Sequence, residues 1–244
     1  HAELGIFTET FQYAFGIPFT SGELGAQVVP FNTFQPSLRI IDQGNLVANW
    51  IQITNFGNTA STGVLRAYNQ GGDFIAEETI SLRAGERRDI GAHKYGQNIV
   101  GLIEWNPEDG NIPFQLRNIR YVYDNPWVSP SFETAFSLDA QVGTADMLVA
   151  PLDTTDGSAV LEILNARAET TDVLVQIFSE AGELLYEESL RLDAKASQHI
   201  VADEILGLGT RGVAHVDAVQ KNGVVALSMH YARRPDTSIE YMYG

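Results

Sequence analysis

The chain carries one of its own stretches twice. Residues 50–90, shifted by 110 positions, lie without a gap on residues 160–200. Ile53 falls on Ile163, Asn55 on Asn165, Gly72 on Gly182, Leu82 on Leu192 and Ile90 on Ile200. Between the identities the exchanges are like for like: Leu65 for Val175, Tyr68 for Phe178, Phe74 for Leu184, Ile80 for Leu190. In 244 residues, a repeat of that period means two copies of one small domain rather than one large fold. Each copy is long enough to close a core unaided. The absence of cysteine excludes disulfide staples, thiolate zinc sites and a cysteine nucleophile.

Apolar residues alternate with polar ones through most of the chain, the period of half-buried antiparallel strands. Strands are expected at 7–15, 24–31, 46–55, 62–69, 73–82, 99–105 and 114–122 in the first copy. In the second they are expected at 132–138, 146–152, 159–165, 172–179, 183–192, 212–219 and 224–231. Gln70-Gly71-Gly72-Asp73 and Glu180-Ala181-Gly182-Glu183 read as matching hairpin turns, and Asn222-Gly223 as a third. The fold expected is all-β: two tandem homologous antiparallel β-sandwiches of immunoglobulin-like kind. The first spans 1–125 and the second 131–244, joined by a stiff linker at 126–130 that carries Pro126 and Pro130. Expected core positions are Ile53, Leu65, Phe74, Ile80 and Leu82, and in the second copy Ile163, Val175, Leu184, Leu190 and Leu192.

The formal charge is −16, split as −5 over residues 1–125 and −11 over residues 126–244. Such a surface repels phosphate backbones and anionic headgroups, so nucleic acid is not an expected partner. No apolar run reaches the ~18–20 residues that span a bilayer, so no membrane insertion is expected. A first residue His1, with no initiator methionine, reads as a processed secreted chain or a tag remnant.

Individual residues offer several chemistries, each with an ordinary alternative. A free amino-terminal histidine such as His1 can hold copper through its amine and imidazole. His215 and His230 fall opposite each other if Asn222-Gly223 is a two-residue turn, and two imidazoles can clamp a metal. The equivalent positions in the first copy are Glu104 and Arg120, which reads better as an exposed polar pair. The acidic loops with Asp109, Asp153 and Asp156 can supply oxygens to calcium, though Asp beside Gly is also an ordinary turn former. Trp50 and Trp105 read as core, and Trp127 as a wedge between the prolines. Phe7, Phe11, Tyr13 and Phe15 give the first strand an apolar face that has to be buried at home or against a neighbour.

The function expected is a non-catalytic, secreted structural or adhesive protein of a cell surface or extracellular fibre, self-assembling by exchange of its first strand. Its expected partners are itself or other surface proteins. No cofactor is expected, with calcium at the acidic loops and copper at His1 as alternatives. The competing readings are a carbohydrate-binding module of a polysaccharide-processing system and a copper enzyme built on His1.

Overall fold

The structure is a computed structural model that describes residues 2–7, 12–17, 22–33, 46–97, 99–123, 132–143, 147–220, 223–233 and 239–243. It is nearly all β, with 64 % of residues in strands and 5 % in helix. The described residues form eighteen strands in chain order. The first ten are β1 (Ala2–Phe7), β2 (Gln12–Ile17), β3 (Gln27–Asn32), β4 (Leu46–Asn55), β5 (Ser61–Asn69), β6 (Phe74–Leu82), β7 (Arg87–Gly91), β8 (Val100–Pro107), β9 (Phe114–Tyr123) and β10 (Phe132–Asp139). The rest are β11 (Met147–Asp153), β12 (Gly157–Asn165), β13 (Thr171–Ser179), β14 (Leu184–Leu192), β15 (Ser197–Val201), β16 (Arg211–Ala218), β17 (Val224–Arg233) and β18 (Ile239–Tyr243). Among the described residues helix is limited to a 3-10 turn at Ala92–Tyr95 and one α-turn, α1, at Asp203–Leu206. Among the described residues no helix is long and apolar enough to cross a membrane.

Two compact units emerge: His1–Asn69 with Phe74–Val142, and Gln70–Asp73 with Gly143–Gly244. In the first, one sheet runs β1-β2-β10-β9-β4-β7 and the other β3-β8-β5-β6. In the second, the sheets run β15-β12-β17-β18 and β11-β16-β13-β14. Strand for strand the orders coincide, except that among the described residues β1 and β2 have no counterpart in the second unit. The β2–β10 pairing is parallel and the other strand pairs are antiparallel. In the second unit both sheets feed one core, with Ala159, Leu161 and Ile163 of β12 meeting Val173, Val175 and Ile177 of β13 and Ala214 and Val216 of β16. That is the alternation of a two-layer β structure, inward residues apolar and outward residues polar.

Several expectations are corrected. The stretch 7–15 is divided between β1 and β2, with residues 8–11 outside the described set. Phe132–Asp139, expected to open the second copy, instead pairs with β9 of the first unit. Residues 126–130, and with them Trp127, lie outside the described residues. β16 and β17 do not form a hairpin: β16 is flanked by β11 and β13 in one sheet, β17 by β12 and β18 in the other. With both edges of each strand already paired, the chain crosses between sheets at Gly223, whose φ of +113° suits glycine.

The core expectation holds for Ile53, Leu65, Ile80, Leu82, Ile163, Val175 and Leu192, all buried. Leu190 packs against the second core from a partly buried position. Phe74 and Leu184 are the exceptions, at 57 % and 49 % exposed. After each hairpin the register slips by one residue, so Tyr68 pairs with Phe74 and Phe178 with Leu184 while Ile75 and Leu185 bulge out. A one-residue bulge moves the side chain beyond it to the other face of the sheet.

Candidate functional site on the outer face of the second unit

The bulge that expels Leu184 from the core builds a row on the outer face of the β11-β16-β13-β14 sheet. Residues directly opposite one another across an antiparallel pair share a face. Pro151, Val213, Phe178 and Leu184 are linked in this way across all four strands. The next row is Val149, His215, Gln176 and Glu187, and the Gln176 amide donates to Glu187 at 2.7 Å. The rings of Phe178 and His215 lie 5.0 Å apart at 53°. Beside them is an open groove of about 480 Å³ lined by Phe178, Ser179, Glu180, Arg211, Val213 and His215. Met147, Val149 and Leu184 are exposed around it.

The first unit carries the same rows with different exposure. Pro30, Leu102, Tyr68 and Phe74 form one, and Val28, Glu104, Arg66 and Glu77 the other. Arg66 bridges Glu77 at 3.3 Å and Glu104 at 3.9 Å, and the Tyr68 hydroxyl donates to Glu104 at 3.4 Å. Burial raises the Tyr68 hydroxyl above its ordinary pKa, with the Glu104 charge adding to the effect. Val28 is 2 % exposed where its equivalent, Val149, is 57 % exposed. Pro30 is likewise buried and Pro151 exposed. The second unit thus exposes Val149 and Pro151 of β11, where the first unit buries Val28 and Pro30 of β3, while Phe74 and Leu184 are exposed in both.

The histidine pair is not assembled, because His215 and His230 lie in different sheets. Nor is it wholly exposed: His230 is 3 % exposed. Its Nδ1 is 2.7 Å from the Asp153 carbonyl oxygen, to which it donates, and its Nε2 is 2.8 Å from the Asp156 carboxylate. Three of the residues considered for metal binding are therefore together, but both ring nitrogens of His230 already face acceptors within the protein. Asp153 also accepts from the Thr155 backbone and hydroxyl and from Arg211 Nε at 3.0 Å. The Thr155 hydroxyl, the backbone bond and Arg211 together bring its pKa down to about 2. Asp109 accepts from Asn111 through backbone N–H and side-chain amide at 2.9 and 3.0 Å, closing its own turn. Among the described residues no group of three or more His, Asp or Glu is placed to hold a metal ion.

Trp105 is fully buried, edge-on to Phe114 at 5.2 Å. Trp50 reverses expectation at 41 % exposed, because Ile51 and Ile53 take the inward positions of β4. Its cross-strand partners are Ile119 and Gly91, the latter leaving its flank clear. His1 and Phe11 lie outside the described residues, and for Phe7, Tyr13 and Phe15 only the backbone of β1 and β2 is described. Sequence reasoning missed Phe178, Val149 and Leu184 as surface residues. The bulge that exposes Leu184 has no sequence marker, since the alternation runs unbroken through Leu184, Tyr186, Glu188 and Leu190 only if the slip is ignored.

No family model matches the chain, and no curated protein matches it. Among solved structures it is similar to the Anabaena sensory rhodopsin transducer, at 15 % identity over 34 % of this chain and 94 % of that one, with a TM-score of 0.30. It also resembles a β-glucuronidase from glycoside hydrolase family 2, at 13 % identity over 91 % of this chain and 24 % of that one, with a TM-score of 0.19.

Proposed function

We propose that the chain is a non-catalytic structural or adhesive protein of a cell surface or extracellular fibre, built of two immunoglobulin-like sandwiches and able to self-associate. The observation that carries this reading is the row Pro151, Val213, Phe178 and Leu184, exposed at both ends and half-buried between, with Val149 and Met147 exposed along β11 where the counterpart unit buries Val28 and Pro30. Contiguous exposed apolar surface of this kind is where proteins meet partners, and a repeat protein offers itself as the nearest complementary partner. Sedimentation across a concentration series tests it. The full chain should associate, and Val149→Glu with Leu184→Glu should weaken association at least tenfold while leaving the β-rich circular dichroism unchanged. A chain that stays monomeric throughout, or variants that associate as well as the parent, overturns the reading.

Exposed Trp50 supports a second reading, a glycan-binding module, since an indole face stacks on sugar rings. Quenching of tryptophan fluorescence by an oligosaccharide, absent in Trp50→Ala, would favour it.

A further inference from the structure

The two units differ at one sheet edge, and that difference identifies an acceptor. β10 and β18 are equivalent strands. Ala135 pairs with Tyr121 and Met242 with Tyr231, and each strand skips one residue at the same place, Glu133 in one and Glu240 in the other. Their sequences correspond as well: Phe132-Glu133-Thr134-Ala135-Phe136 against Ile239-Glu240-Tyr241-Met242-Tyr243. In the first unit β10 has a neighbour on each side, β9 and then β2, which pairs parallel through Ala135 with Phe15 and Phe136 with Gly16. In the second unit β18 has β17 on one side, and among the described residues no strand lies on the other.

We infer that the open edge of β18 takes the β1–β2 hairpin of a second copy, in parallel, with Met242 opposite Phe15 and Tyr243 opposite Gly16. This rests on the self-association reading and adds to it a second contact, on the sheet that does not carry the exposed row. The donor is already a hairpin, paired within itself from Ala2–Ile17 to Phe7–Gln12, so it transfers as a preformed element with one free edge. Its attachment at home comprises two residue pairs, and the acceptor presents the equivalent strand in the equivalent register. Exchange therefore replaces one short pairing by another of the same geometry. Because donor and acceptor belong to different units, the contact is head-to-tail, the kind that builds rings where its rotation closes and open filaments where it does not. An unpaired edge strand is a template for such addition.

The lack of cysteine makes the register directly testable by cross-linking. Full-length Phe15→Cys and full-length Met242→Cys are mixed and oxidised. A mixed disulfide dimer should form faster than in a mixture of Phe15→Cys with Val201→Cys, an exposed position on β15 at the opposite edge of the same sheet. In a second variant, Phe15→Cys with Ala135→Cys, oxidation pins the hairpin at home, directly opposed residues being within disulfide reach. Assembly should then be lost under oxidation and return on reduction. Equal cross-linking rates at Met242 and Val201, or assembly unaffected by the pin, overturn this inference while leaving self-association standing. A chain monomeric by sedimentation removes both.

Discussion

Asn55 and Asn165 are identical in the repeat and fully buried in both units. Each closes the loop that follows its strand. The Asn55 amide donates to the carbonyls of Thr59 and Leu82, at 2.9 and 3.2 Å, and its oxygen accepts from Gly57 N–H at 2.8 Å. Asn165 donates to Glu169, Leu192 and Asp193 at 2.9, 3.3 and 2.8 Å and accepts from Arg167 N–H at 2.9 Å. Removing the amide leaves backbone groups with no partner, so Asn165→Ala should cost about 1–3 kcal/mol in urea unfolding. A midpoint equal to that of the parent would show that water replaces the amide. The identity of these two asparagines was visible in the sequence. Their role was not, because a buried polar residue on an alternating strand looks the same as a surface one until its distant carbonyl partners, Leu82 in one unit and Leu192 and Asp193 in the other, are in place.

At the scale of the strand, the bulge separates positions that periodicity treats alike. Phe74 and Ile80 both belong to β6, yet Ile80 is buried in the core and Phe74 lies outside, edge-on to Tyr68 at 6.1 Å. Ile80→Ala should therefore cost ~2–5 kcal/mol, the cost of a cavity in a filled core, and Phe74→Ala less than about 1 kcal/mol, as for surface changes. Comparable losses in urea unfolding would place both side chains inside. Strand positions and the two matched hairpins were legible because alternation and turn glycines act locally: Gly72 and Gly182 sit at φ of +88° and +83°. β7, β15 and β18 were not read at all, since five-residue strands are too short for alternation to stand out. Nor could the change of sheet between β16 and β17 be read from the sequence, because an Asn-Gly dipeptide serves a hairpin when the flanking strands have free edges. The candidate surface was illegible for a related reason. Its apolar residues obey the pattern of a core, and the slip after each hairpin turns some of them outward.

For the whole molecule, charge constrains how copies can join. Every copy carries −16, and the joined parts share that sign. The hairpin region 1–17 has Glu3 and Glu9 and no lysine or arginine, the acceptor strand has Glu240, and residues 126–244 sum to −11. Electrostatics therefore opposes the contact, and what favours it is backbone pairing and burial of apolar surface. Screening weakens the opposition: the Debye length falls from ~30 Å at 0.01 M salt to ~8 Å at 0.15 M. Association should accordingly strengthen as sodium chloride is raised over that range at pH 7, with the apparent dissociation constant falling several-fold by light scattering. A contact built on ion pairs between copies would respond with the opposite sign. Weaker association at 0.15 M than at 0.01 M would therefore exclude strand addition between like-charged surfaces as the force that joins them.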